Sequence, residues 1–475
     1  MFLKILLLII YLLIIVSIIF IERKNSQEAV MWVLIVTAVP YVGTILYLIF
    51  GNTVNIKIVR FLREKRLANR PDTAKDYYKA LEQAKNTSLD SCLSEVDERV
   101  AVFNAAYNQS LLTTFDDARF LISGKAHYEK LFRDIAEAEK SIHIEFFTVH
   151  PDEVGRAFIS ALSKKAGEGV NVTLICDFFA NAGTPEKFFK PLINAGGYVK
   201  RVKRSLTHFR SHRKIVTIDE KIAYIGGMNI GRQYADLAKA KSPWRDTQIR
   251  LTGACVGVLE NYINLDTVCS MNKKEYSELS QNCKIKEIKI ENNFSNACQF
   301  VMGGADSDKE CIKMCYLSMM RNAAKSIRIQ SPYFVPDTSL LDELKAACAS
   351  GVRVEIMIPL VKSSFFLKPV SDFYAASLAE YGAHIYKYKG YIHAKTLIID
   401  DELCCVGSVN IDVRSLEIDD EICGIFYNNT LTKKYSEIYD NDIMNCESFD
   451  LNAFSKRSRF EKVKEKFLLL FAPLM

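Results

Sequence analysis

The sequence lacks paired cysteines. Its 13 cysteines are odd in number and scattered, with no C-x-x-C spacing. That excludes a disulfide framework and a thiolate zinc site, and it argues for a reducing compartment. Cys311/Cys315 and Cys404/Cys405 read as small buried apolar residues. A large charge excess is also missing. The formal net charge is +6, so where the basic residues cluster matters more than their sum. No carboxylate cluster suits a divalent metal, and no cofactor is implied. No small-residue cleavage site precedes Glu22-Arg23-Lys24, which counts against a removable leader. At 475 residues the chain has room for two or three full-sized cores.

Long apolar runs are present at the amino-terminal end. Residues 5–21 are apolar apart from Tyr11 and Ser17, and residues 29–50 hold only Thr37 and Thr44 as polar members besides a few aromatics of interfacial type. About 20 residues cross a bilayer, so the first run is slightly short and the second ample. With the link 22–28 they predict a two-helix transmembrane hairpin, kinked at Pro40. The link carries Arg23 and Lys24, whereas the following flank carries Lys57, Arg60, Arg63, Lys65, Arg66 and Arg70. The positive-inside rule then puts that flank, Lys4 and the body of the protein in the cytoplasm. The three-residue spacing of Lys57, Arg60, Arg63 and Arg66, interleaved with Ile58, Phe61, Leu62 and Leu67, has two readings. It is either a helix lying on an anionic leaflet or a set of charges that only fixes topology.

One pattern occurs twice. His212-Arg-Lys-Ile-Val-Thr-Ile-Asp219, closed by Gly226-Gly-Met-Asn229, returns as His393-Ala-Lys-Thr-Leu-Ile-Ile-Asp400, closed by Gly407-Ser-Val-Asn410, at a constant separation. Each H-x-K-x-x-x-x-D stretch is β-branched and reads as a strand, which puts His and Lys on one face. Asp219 and Asp400 fall at tight turns, and a second strand returns to small residues at Gly227 and Ser408. Each copy offers an imidazole (His212, His393), an ammonium (Lys214, Lys395), an amide (Asn229, Asn410) and open backbone N–H groups around one point. That set suits a phosphate, with the lysines and amides on its oxygens and a histidine close enough to attack phosphorus. Further repeats, such as Lys140-Ser-Ile-His-Ile with Lys325-Ser-Ile-Arg-Ile, mark an internal duplication.

The duplicated motif resembles that of the phospholipase D superfamily and, more narrowly, the bacterial cardiolipin synthases. The twin apolar runs, the Tyr47–Gly51 exit and the Pro473-Leu474-Met475 ending are similar too. The resemblance implies an α/β fold of two tandem α/β/α sandwich halves related by pseudo-twofold symmetry. The expected divisions are 1–51 (transmembrane helices), 52–114 (basic juxtamembrane and helical linker), 115–270 (first half), 271–297 (linker), 298–450 (second half) and 451–475 (amphipathic tail). It further implies a phosphohistidine mechanism, with His212 as nucleophile and His393 as acid and base. Asp246 and Glu421 would orient the imidazoles; if each histidine points at the facing half, geometry pairs Glu421 with His212 and Asp246 with His393 across the pseudo-twofold. Asp219 and Asp400 complete the motifs but in this family are mainly structural. Ser211, Glu145-Phe-Phe147 and Leu360–Ser363 depart from the usual pattern and bear on acceptor recognition. Lys200, Arg201, Lys203, Arg204, Arg210 and Arg213 crowd the approach to His212. They would hold anionic headgroups, form a solvated basic loop, or face a nucleic-acid backbone. The implied activity is a bacterial inner-membrane phosphatidyltransferase that joins two phosphatidylglycerols into cardiolipin and glycerol, with anionic lipids rather than nucleic acid as partners. A hydrolase, a transferase to another alcohol, a nuclease and a non-catalytic scaffold are the alternatives. The spans disfavour the nuclease, and the two whole motifs disfavour the scaffold.

Overall fold

Two hairpins carry the duplicated motifs. Strands Ile215–Ile218 and Ile222–Gly226 pair antiparallel, as do Thr396–Ile399 and Leu403–Gly407. At their turns Asp219 and Glu220 have φ of 54° and 59°, and Asp400 and Asp401 have 56° and 58°. Two successive left-handed residues match the right-handed twist of the flanking strands. Asp219 also accepts hydrogen bonds from the N–H groups of Glu139, Lys140 and Ser141 at 2.8, 2.7 and 2.9 Å. Asp400 does the same for Ala324, Lys325 and Ser326 at 2.7, 2.7 and 2.6 Å. Both motif aspartates therefore clamp a neighbouring strand entry at the far end of the hairpin from the histidine.

The computed structural model describes residues 2–21, 26–86, 93–203, 209–235, 244–288, 294–304, 307, 309–361, 367–469 and 472. Arg204 and the Pro473–Met475 ending lie outside them. Among the described residues, each hairpin sits inside a mixed sheet. The first sheet runs Ala118–Leu121, Gln248–Thr252, Ile222–Gly226, Ile215–Ile218, Ser141–Phe146, Asn171–Asp177, Tyr198–Val202. The second repeats that order as Ala297–Gly303, Glu421–Tyr427, Leu403–Gly407, Thr396–Ile399, Ser326–Gln330, Arg353–Pro359, His384–Tyr388, with a short strand added at each edge. Helices cover the outer faces. The inner faces pack on each other, with Ile215, Ala223, Ile225 and Ile249 of one half in a single buried cluster with Ile398, Cys404, Val406 and Ile422 of the other. The twelve described cysteines are all free, ten of them buried.

The 52–114 segment is less of a linker than its polarity implied. Helix α6 (Glu95–Asn108) packs against helix Cys311–Arg321, and Thr113–Thr114 pairs with Ala297–Cys298 at the edge of the second sheet. Ahead of it lie α1 (Phe2–Ile21), α2 (Ser26–Ala38), α3 (Pro40–Phe50), α4 (Asn52–Ala68) and α5 (Pro71–Asn86). Pro40 divides the second apolar run, because its ring cannot continue the preceding helix. Among the described residues no helix is long and apolar enough to cross a membrane. On α4 the arginines turn toward the body: Arg60 donates to Ser307 O at 2.6 Å, and Arg66 to Cys269 O at 3.1 Å. Arg70, just past the helix, donates to Met271 O at 2.5 Å. Ile58, Phe61 and Leu62 face outward, 51%, 61% and 42% exposed. Neither sequence reading of these charges anticipated that they dock the helix. The tail helix Arg459–Leu469 seats Leu468 on Val335 and Val370 but leaves Phe460, Val463 and Phe467 exposed.

Candidate active site

Each motif histidine enters its strand beside the other half. The His212 N–H donates to Asp420 O at 2.8 Å, and the His393 N–H to Arg245 O at 2.6 Å. These bonds carry both rings to the interface between the sheets. The Nδ1 of His212 lies 3.0 Å from Glu421 Oε1, and the Nδ1 of His393 lies 2.6 Å from Asp246 Oδ2. Each carboxylate thus contacts the imidazole of the opposite half, in the crossed arrangement expected from the sequence. An Nδ1–H donated to a carboxylate leaves the Nε2 lone pair free to approach phosphorus.

Burial sets the resting charge. It pushes both imidazoles down to about 4, so both are neutral near pH 7. It lowers Lys214, and pushes Lys395 down to about 7 against the opposing pull of Asp246. The two carboxyls differ. Burial raises Glu421 to about 7. Burial also acts upward on Asp246, but His393, Lys395 and the Thr247 N–H, which donates at 2.7 Å, outweigh it and hold the group below its ordinary range. Lys214 and Lys395 each feel both carboxylates, so the six side chains form one electrostatic unit.

The closing residues do something other than expected. The Gly227 N–H donates to Thr247 O at 3.0 Å and the Ser408 N–H to Ile422 O at 2.9 Å, so neither is open to a phosphate. A Cβ at Gly227 would lie 2.1 Å from Asp246 Oδ1, and the Ser408 hydroxyl donates to Glu421 Oε2. These two equivalent positions make room for, or hold, the orienting carboxylates. Asn229 is also engaged: its Oδ1 accepts from the Thr148 N–H at 3.2 Å and its Nδ2 donates to Tyr234 Oη at 3.0 Å. Asn410 instead lines a cavity of about 260 Å³ beside His212, with Tyr333, Leu367, Asp412, Arg414 and Asp419. Lys214 and Lys395 each donate to the carbonyl of their own motif histidine.

The basic approach is only partly an approach. Lys200 pairs with Glu275 at 2.8 Å, and Arg213 is buried, donating to Gly303 O at 3.0 Å and to Asp266. Arg201 and Lys203 lie over Phe178, and Arg210 over Phe179. Sequence reasoning missed the aromatic collar of His393, where the rings of Trp244, Tyr391 and Tyr234 lie 4.9, 5.9 and 6.2 Å away. It also missed Asp419, 3.9 Å from His212 Nδ1 and bonded to Arg414 at 2.9 Å. No motif marks these residues. Of the departures from the family pattern, Ser211 Oγ donates to Glu145 at 2.6 Å and Phe147 packs on His212 at 4.3 Å.

Duplicated α/β layers with paired H-x-K motifs at their junction define a phospholipase D-like protein. The family described as "Cardiolipin synthase, PLD-like domain" matches residues 131–239 and 316–443, and the one described as "Phospholipase_D-nuclease N-terminal" matches residues 9–52. The chain is 32% identical to the major cardiolipin synthase of Bacillus subtilis (strain 168), over 97% of this chain and 96% of that protein. It is 33% identical to the cardiolipin synthase of Clostridium perfringens (strain SM101), over 96% of each. The fold is shared with the phosphatidylserine synthase of Haemophilus influenzae, with a TM-score of 0.62 at 13% identity over 79% of this chain and 98% of that one. The chain belongs to the cardiolipin synthase family of the phospholipase D superfamily.

Proposed function

We propose that this protein is a membrane-bound phosphatidyltransferase that converts two phosphatidylglycerols into cardiolipin and glycerol. The observation that carries the reading is the crossed pair of His–carboxylate contacts, within a chain that resembles cardiolipin synthases from end to end. In the first step His212 Nε2 attacks phosphorus. A P–N bond forms, the P–O bond to the glycerol headgroup breaks, and His393, entering as the imidazolium that the bound phosphodiester anion favours, supplies the proton that the leaving oxygen needs and becomes neutral. In the second step His393 takes the proton of an incoming primary hydroxyl, whose oxygen displaces His212 from phosphorus. Asp246 stays ionised 2.6 Å from His393, which favours that ring as the one that gains and loses the proton. Glu421, 3.0 Å from His212 Nδ1, accepts that N–H and so presents the Nε2 lone pair to phosphorus. Lys214, Lys395 and Asn410 would neutralise the non-bridging oxygens.

The amino-terminal runs would hold the site at the inner leaflet, with α1 and the bent α2–α3 pair as a hairpin and the body cytoplasmic. The apolar composition of 5–21 and 29–50 and the basic residues after them support this topology. Lipid hydroxyls are then concentrated at the site, which favours transfer over hydrolysis. The test is incubation of purified protein with phosphatidylglycerol in mixed micelles, following lipid products and glycerol by mass spectrometry. Cardiolipin and glycerol in equal amounts are expected. Phosphatidic acid without cardiolipin would make the protein a phospholipase.

A further inference from the structure

A second basic cavity lies away from the histidines. Of about 440 Å³, it is lined by α4, α5, the end of α6, helix Cys255–Ser270, and Met302, Ser307 and Lys309. Arg60 and Arg63 of α4 and Lys309 enter it from two segments far apart in sequence. Arg60 Nη2 and Lys309 Nζ each hold a backbone carbonyl, Ser307 O at 2.6 Å and Tyr107 O at 2.8 Å. Arg60 Nε is buried with no acceptor. Leaving a guanidinium N–H dry and unbonded is costly, and a small shift of the Arg60 side chain toward an anion in the cavity would relieve that cost. Glu64 is the acidic residue of the lining, while the buried Arg213 in the wall already pairs with Asp266. Asp306 and Asp308, beside Lys309 in sequence, lie outside the described residues. Tyr77, Tyr78, Tyr107 and Tyr262 supply the remaining walls. Convergent cations, an unbonded donor and aromatic sides in a space of ligand size describe a small-anion pocket.

We propose that this cavity binds a phosphate group, at a site distinct from the one between the motifs. Two chemistries share that group: a free phosphate or glycerophosphate from solution, and the phosphodiester headgroup of an anionic lipid. The second is reachable because α4 follows the apolar amino-terminal helices directly. Arg213 forms the wall between cavity and active site, donating also to the carbonyl of Glu421 at 3.3 Å.

The test is equilibrium dialysis of the full-length His212→Ala chain in non-ionic detergent micelles, with labelled inorganic phosphate and separately with glycerol 3-phosphate. The triple variant Arg60→Gln/Arg63→Gln/Lys309→Gln in the same background should lose one bound equivalent per chain. Because Arg60 also pins α4, the double variant Arg63→Gln/Lys309→Gln, with an unchanged melting temperature, should bind that equivalent at least tenfold more weakly. Displacement of the label by nanodiscs of phosphatidylglycerol, but not of phosphatidylcholine, assigns the site to a lipid headgroup. Retention of the label assigns it to a soluble phosphate. Equal stoichiometry and affinity in parent and both variants, or no variant-sensitive binding of any of these probes, overturns the proposal.

Discussion

At the scale of single residues, the site is a set of couplings rather than a list of catalytic groups. Asp246 touches His393 at 2.6 Å, so most of its effect on turnover should run through that ring. Asp246→Asn is expected to lower kcat by at least about 100-fold, while His393→Ala/Asp246→Asn is no slower than His393→Ala alone. Additive losses in that cycle would show that the carboxylate acts elsewhere. Asp246 and Glu421 were legible only through likeness to a family, because two acidic residues outside a motif look like any others. Gly227 and Ser408 were misread, since a small residue at a strand end fits both a phosphate and a carboxylate contact made from another strand. A different carboxyl reports mainly burial. Glu260 is buried on helix Cys255–Ser270, its Oε2 has no partner, and burial raises it to about 7. A carboxyl raised above its unfolded value stabilises the fold at low pH and loses that contribution as pH rises through the folded value. Glu260→Gln should therefore be more stable than the parent at pH 8, by on the order of 2 kcal/mol, with little difference at pH 4.5. Denaturant melts at the two pH values check the sign.

At the scale of elements, the repeat made most of the molecule readable. The two H-x-K-x-x-x-x-D stretches, read as strands, do hold Ile215–Ile218 and Thr396–Ile399, because β-branched runs closed by turn residues leave little choice. What stayed hidden was long-range. Nothing local says that Thr113–Thr114 extends the second sheet rather than the first, or that the α4 arginines seek carbonyls on the body. The hairpin turns show how a motif residue can serve the fold. Asp219 accepts three backbone N–H groups and sits at positive φ, both far from phosphorus chemistry. Asp219→Ala is expected to cost about 2–4 kcal/mol, from lost acceptors and strain at a left-handed position. The surviving folded protein should keep kcat within a few-fold. A loss of kcat comparable to that of a histidine variant, in protein with a normal melting curve, would return Asp219 to the reacting centre.

For the whole molecule, the two halves cannot work apart. Each histidine is backed by the other half's chain, through His212 N–H to Asp420 O and His393 N–H to Arg245 O, and by the other half's carboxylate. The apolar cluster between the sheets, which holds residues from both halves, keeps these partners in register. A two-step transfer through a covalent intermediate needs both rings in each turnover: one bonded to phosphorus, one moving a proton in each direction. Removing either ring prevents turnover, so there is little further for a second removal to take away. His212→Ala and His393→Ala should each lower cardiolipin formation by several orders of magnitude, and the double variant should be little worse than the weaker single one. The two single variants should still differ in one respect. His393→Ala retains the nucleophile and, after a phosphatidylglycerol pulse and acid-free quench, should carry labelled phosphatidyl on His212 in trace amount, whereas His212→Ala should carry none. Label on His393 in the His212→Ala protein would reverse the roles assigned to the two rings. Substantial turnover in either single variant, with folding intact, would remove the two-histidine mechanism altogether.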